Sequence, residues 1–192
     1  MQIISSIKVY KIIRVTYTSF MKFKLWFSLF TIFLITGCGQ SLEKDSLRQI
    51  SEGSVIGTAG NNNTYVWKGI PFAEPPLGQL RWKAPKDPSS WTETLEAMEF
   101  KSSCFQKASS FGEDGEDMWS GSEDCLYLNI WTPKLSQTDI GQSKNLPVMM
   151  WIHGGGNTVG SAHMYDPSVL VSEHNVIVVT IQYRMGSLGW FR

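Results

Sequence analysis

Two short apolar runs constrain this chain more than any other feature. Residues 146–152, Leu-Pro-Val-Met-Met-Trp-Ile, read as a buried strand, and residues 176–183, Val-Ile-Val-Val-Thr-Ile-Gln-Tyr, read as a fully buried one. The first runs straight into His153 and three glycines, Gly154 to Gly156. Without a Cβ, consecutive glycines let the backbone turn sharply and approach a ligand closely. Their N–H groups can then share a pocket and stabilise a negative oxygen there. A tight strand-to-loop turn with no chemistry is the plainer reading of the same tetrapeptide.

Other strands surround these two. Residues 54–57 and 64–67 flank Gly60-Asn-Asn-Asn63 and predict a hairpin. Residues 68–78 hold three prolines and two glycines, so an ordered loop is expected there. Residues 125–131 alternate as a strand, with Pro133 ending it. A short helix is expected over 167–174, capped by Asp166. Trp67, Trp82, Trp91, Trp131 and Trp151 are expected in the core. Only a few residues follow 176–183, so the strands and helices that cover it are expected beyond Arg192, and the chain reads as truncated.

The first 37 residues read as a targeting segment and not as part of the fold. They carry five basic residues and no acidic one, then an apolar run over residues 25–35. That run is too short to span a bilayer, which needs about 20 apolar residues. Met21 is a second candidate start. Ile35-Thr-Gly-Cys38 resembles a bacterial lipobox, which implies a lipidated Cys38 and anchorage to a membrane. The alternative is ordinary signal cleavage nearby. Polar residues 38–50 are expected to form a tether, placing the domain at 51–192. Without the leader the chain keeps 12 basic against 17 acidic residues, a net charge of −5, which gives nucleic acid nothing to bind. Cys104 and Cys125 remain, either bridged in an oxidising compartment or reduced and buried.

Several motifs occur in one order: residues 69–76 (Gly-Ile-Pro-Phe-Ala-Glu-Pro-Pro), 80–82 (Leu-Arg-Trp), 122–130 (Ser-Glu-Asp-Cys-Leu-Tyr-Leu-Asn-Ile), 153–156 and 182–184 (Gln-Tyr-Arg). The series resembles the N-terminal third of a type-B carboxylesterase, the group that includes cholinesterases and bacterial para-nitrobenzyl esterases. The resemblance covers roughly residues 51–192. It implies an α/β class fold, the N-terminal portion of an α/β-hydrolase: a small antiparallel edge, then the first strands of a mostly parallel sheet. It implies hydrolysis of a small-molecule carboxylic ester through a serine acyl-enzyme, with no cofactor and no metal. Gly155 and Gly156 take the place of the family's oxyanion donors, Cys104 and Cys125 of its first disulfide, and Arg81 and Glu123 of a buried ion pair.

The nucleophile is not in these residues. No Gly-x-Ser-x-Gly elbow occurs, and the family places its serine, acid and histidine downstream of the Tyr-Arg segment. His153 is expected to be structural, His163 and His174 to lie on the surface or a helix, and Ser161 to line the site without attacking. Asn157 stands where the family often has an aromatic residue. Together, the leader and this resemblance imply a piece of an exported, lipid-anchored esterase of the bacterial envelope, inactive alone. A non-catalytic binding or adhesion protein on the same scaffold, or an inactive truncated product, is the alternative. The oligomeric state and the ester itself are not legible.

Overall fold

The computed structural model describes residues 40–108, 119–136, 138–139 and 145–190. The leader, with Cys38, lies outside the described residues.

A five-stranded sheet organises the fold. Its strands are β3 (Thr58–Gly60), β4 (Thr64–Pro71), β8 (Tyr127–Pro133), β9 (Val148–Ile152) and β10 (Ile177–Ile181), in the order β3-β4-β8-β10-β9. The first three junctions are antiparallel and only β10–β9 is parallel. The antiparallel edge expected from the sequence thus makes up most of the sheet among the described residues. A smaller sheet joins β1 (Arg48–Gln49), β2 (Ser54–Ile56) and β5 (Leu95–Glu96) in the order β1-β2-β5. A third pairs β6 (Gln106–Lys107) with β7 (Trp119–Ser120).

The predicted hairpin is half right. Residues 64–67 open β4, but their partner is Thr58–Gly60, and Ser54–Ile56 belongs to the smaller sheet. The loop between Gly60 and Thr64 has only three residues. Asn62 and Asn63 take φ of 52° and 57° there, a left-handed geometry that asparagine tolerates. So short a loop leaves the nearest strand as the only partner within reach.

Nor is 68–78 wholly a loop. Strand β4 continues to Pro71, after a register shift between Trp67 and Ile70. Gly69, at φ 73°, forms that bulge, and a Cβ there would lie 2.7 Å from the Glu99 carbonyl. The two bulged amides are satisfied elsewhere: Lys68 N–H donates to the Ala97 carbonyl and Gly69 N–H to Asn129 Oδ1. A bulge lets a strand carry glycine and end on proline without orphaned donors.

The tether expected before residue 51 is also structured where it is described. Ser46 is fully buried, its hydroxyl accepts from Gly57 N–H at 2.8 Å, and its carbonyl accepts from Trp67 Nε1 at 3.0 Å. Polar composition hid a segment held largely by hydrogen bonds, with Ile50 packed against the core.

Helix α1 (Ser168–His174) packs on one sheet face, where Val66, Trp131, Val171, Val176 and Val178 are buried together. Its N-cap is Pro167 and not Asp166 as expected, although the Asp166 carboxylate accepts the Ser168 amide at 3.0 Å. Asn175 in the left-handed region (φ 52°) closes it. The opposite face meets the smaller sheet through Val55, Tyr65, Trp67, Ile70 and Ala97. Beyond these it opens into a groove of about 520 Å³ with Leu128, Ile130, Val148, Ile177 and Val179 in its lining.

That groove corrects two expectations. Strand β10 is buried only at Val178 and Thr180, while Ile177, Val179 and Ile181 are half-buried. Strand β9, expected to be buried, is 44–62 % exposed at all five residues, Trp151 included. It is an edge strand, and the Tyr165 ring, 5.1 Å from that of Trp151, covers only part of it. Trp82 is likewise exposed and Trp91 half-buried, whereas Trp67 and Trp131 are core.

Cys104 and Cys125 form a disulfide with Cα atoms 4.9 Å apart, spanning 21 positions. Closing such a loop removes unfolded-state entropy worth about 3 kcal/mol. Replacing both cysteines by serine is expected to lower unfolding stability by about that amount. Urea unfolding of the oxidised protein and of the double variant measures it, and equal midpoints would refute the expectation.

Candidate active site

The glycine loop leaves the end of β9 and returns over the sheet. His153 is 3 % exposed, and its ring stacks on Tyr183 with centroids 4.3 Å apart. The Tyr183 hydroxyl donates to the His153 carbonyl at 2.7 Å. Imidazole Nδ1 lies 2.9 Å from the Gly154 carbonyl. A carbonyl only accepts, so Nδ1 carries a proton. Nε2 is buried and makes no hydrogen bond of good geometry. Burial pushes the ring's pKa below its ordinary value, while the Gly154 carbonyl and the nearby Gln182 amide pull weakly the other way. His153 is therefore a neutral, structural ring.

The turn itself follows from one carbonyl. Gly155 C=O accepts from Thr158 N–H (3.1 Å), Val159 N–H (3.2 Å) and Thr158 Oγ1 (3.0 Å). In a planar trans peptide the carbonyl and the next N–H point in opposite directions. The Gly156 N–H therefore points out of the turn. The same reasoning applies one peptide earlier: the Gly154 carbonyl faces the His153 ring, so the Gly155 N–H faces away from it. Both glycines are exposed. Neither amide donates a hydrogen bond among the described residues. Two free, outward N–H groups on adjacent residues can receive a negative oxygen.

Each position in the loop has its own steric reason. Gly155 has φ 120°, and a Cβ there would sit 1.8 Å from the Val159 carbonyl oxygen. Gly156 has φ 63°, and a Cβ there would meet only Thr158 Oγ1, at 3.9 Å. Asn157 follows at φ 58°, and its carbonyl accepts from Gly186 N–H at 2.8 Å. Asparagine enters the left-handed region more readily than an aromatic residue does. That accounts for Asn157 in this turn.

Ser161 does not line the site. It is fully buried, accepts from Gln182 Nε2 at 3.0 Å and lies 2.7 Å from His163 Nδ1. Gln182 Oε1 in turn accepts from Ala162 N–H at 3.2 Å. His163 is half-buried and its ring packs on Phe100, while His174 is exposed in the last turn of α1. Sequence reasoning missed Gln106. It is 3 % exposed, and its carboxamide meets the far end of the loop at Gly160. Its one signal was its place two residues after Cys104.

Arg81 and Glu123 are paired at two points, Nε to Oε2 at 2.5 Å and Nη2 to Oε1. The carboxylate raises the guanidinium's pKa, through the hydrogen bond first and the charge second. The pair is not buried as expected: the side chains are 38 % and 25 % exposed, so the large penalty for breaking a buried pair does not apply. Its role is geometric. It pins the 78–83 segment beside the disulfide, and Trp82 Nε1 continues that link by donating to the Ser187 carbonyl in α2 (Gly186–Trp190).

A profile of the carboxylesterase family matches residues 44–192. The chain belongs to the carboxylesterase family. It is 44 % identical over 140 residues to the para-nitrobenzyl esterase of Bacillus subtilis (strain 168), covering 72 % of this chain and 27 % of that protein. It is 38 % identical over 172 residues to the cocaine esterase of Homo sapiens, covering 83 % and 30 %. Among solved structures it superposes on a PNB esterase with a TM-score of 0.66 at 39 % identity, covering 77 % of this chain and 29 % of that one. A carboxylesterase of Geobacillus stearothermophilus gives 0.63 at 36 % identity, with 75 % and 27 % covered. These carboxylesterases are α/β-hydrolases, and this chain has the N-terminal part of that fold. It spans under a third of the length of these relatives.

The loop geometry predicts opposite outcomes for adjacent glycines. Gly155→Ala meets both a positive φ and a backbone clash, and is expected to cost at least about 2 kcal/mol. Gly154→Ala meets no atom within 4 Å and is expected to stay within about 0.5 kcal/mol of wild type. Urea midpoints compare the two, and equal values would refute the turn as described.

Proposed function

We propose that this chain is the oxyanion-loop portion of a serine carboxylic ester hydrolase. The free, outward amides of Gly155 and Gly156 carry the reading. In the reaction a serine hydroxyl gives its proton to the base as its oxygen adds to the ester carbonyl carbon, and the carbonyl π pair moves onto oxygen. The two amides bind that oxygen. The tetrahedral centre collapses, the C–O bond to the alcohol breaks, and the alcohol leaves with a proton from the base. Water then cleaves the acyl-enzyme by the same route. A donor in such a hole is worth about 3 kcal/mol in the transition state.

The serine, its base and its acid come from outside these 192 residues, since no Gly-x-Ser-x-Gly occurs in them. On its own the chain is inactive. A fusion tests this: residues 44–190 joined to the complementary part of the Bacillus subtilis esterase. The chain alone is expected to leave p-nitrophenyl butyrate at background, and the fusion to hydrolyse it. A soluble fusion whose serine reacts with a phosphonate but turns over no ester would overturn the reading.

The protein works outside the cytoplasm, held to a membrane of the bacterial envelope by a lipid on Cys38. The basic n-region, the apolar run over 25–35 and Ile35-Thr-Gly-Cys38 support this. Expressed in a bacterium fed a labelled fatty acid, the protein is expected to take up label and fractionate with membranes. Cys38→Ala is expected to lose both properties. An unlabelled wild-type protein would rule the anchor out.

A further inference from the structure

We propose that Gln106 is a positioning residue of the oxyanion turn, its buried carboxamide clamping Gly160 and tying the turn to the Cys104–Cys125 disulfide. The proposal gives Gln106 its purpose within the ester-hydrolase reading above. Gln106 Oε1 accepts from Gly160 N–H at 2.6 Å. Its Nε2 donates to the Gly160 carbonyl at 2.9 Å and to the Cys104 carbonyl at 3.0 Å. One side chain thus holds both polar groups of a residue 54 positions away and anchors them to the backbone of a bridged cysteine.

Gly160 matters because of what it touches. Its φ is 125°, and the place of its missing Cβ is bounded by the Gly154 carbonyl oxygen and His153 Nδ1, each at 2.5 Å. Those two groups form the contact that turns the Gly155 N–H outward. A displaced Gly160 therefore releases or crowds the peptide that presents a donor. The other anchors act elsewhere: Tyr183 on His153, and Gln182 on Ser161 and Ala162. Among the described residues Gln106 alone holds Gly160.

Glutamine suits the task because the clamp needs a donor and an acceptor on one planar group. An ionised glutamate has no donor and a lysine no acceptor. An apolar residue of similar size leaves the Gly160 amide, its carbonyl and the Cys104 carbonyl short of a partner in a buried place.

Pulse-labelling hydrogen exchange on the full chain, read by mass spectrometry over residues 154–162, tests the role. In wild type the amides of Thr158, Val159, Gly160 and Ala162 are hydrogen-bonded. In Gln106→Met, Thr158, Val159 and Gly160 are expected to exchange about tenfold faster. Ala162 and the amides of β8 and β10 should keep their wild-type rates. Acceleration at Gly160 alone would overturn the proposal, because the clamp would then be local. Uniform acceleration that includes the strands would overturn it too, because the role would be general stability. Should Gln106→Met fail to fold, Gln106→Asn decides. It keeps the carboxamide but draws it back by one methylene, and unchanged rates at Thr158 and Val159 would refute the clamp. The readout needs no ester turnover. An inactive fusion together with a loosened turn in Gln106→Met would leave the positioning role standing and remove only the catalytic reading.

Discussion

The fold depends on β8 being paired along both edges. Strand β4 lies on one side and β10 on the other, both antiparallel. Asn129, 4 % exposed, sits where the three strands meet. Its Oδ1 accepts the bulged Gly69 amide at 2.9 Å and its Nδ2 donates to Thr180 Oγ1 at 3.0 Å. A buried amide of this kind is costly when unpaired and specific when satisfied. It fixes where β4 bulges. A slip of one residue along β8 would move Asn129 to the opposite face and strand the Gly69 donor.

From that register the site follows in two steps. Strand β10 places Tyr183 just past its end, and β9, parallel to β10, places His153 just past its own. The two rings then stack, and the Tyr183 hydroxyl caps the His153 carbonyl. The loop therefore starts from a fixed point. Its return is fixed by buried polar groups: Gln106 at Gly160 and Gln182 at Ser161 and Ala162. Between these points the glycines have little freedom left, although as residue types they have the most.

The sequence was legible where chemistry is local. Gly155 and Gly156 follow a strand and take positive φ, as their place after an apolar run suggested. The elements over 64–67, 125–131, 167–174 and 176–183 exist, with ends shifted by a few residues. Partner choice was harder. Residues 54–57 read as a strand, yet Ser54–Ile56 pairs with β1 and β5 because a three-residue loop had already given β4 its neighbour. Pro71 argued against a strand, but it stands at a strand end, where a missing N–H costs least. Trp151 is apolar and exposed because burial depends on what lies across the edge, and strand composition does not reveal that. Gln106 was out of reach for the same reason. A lone glutamine is mute until the residue 54 positions away is placed against it.

A hole that stabilises charge works because its donors are aimed before the charge arrives, so no reorganisation is needed at the moment of reaction. In this chain the aiming comes from carbonyls and not from the donors themselves. The Gly155 carbonyl is held by Thr158 and Val159, and the Gly154 carbonyl by the His153 ring. Each engaged carbonyl turns the following amide outward through a planar peptide. All of these contacts lie within this segment, and none involves a nucleophile. The two outward amides are thus a local structural product of this part of the carboxylesterase fold.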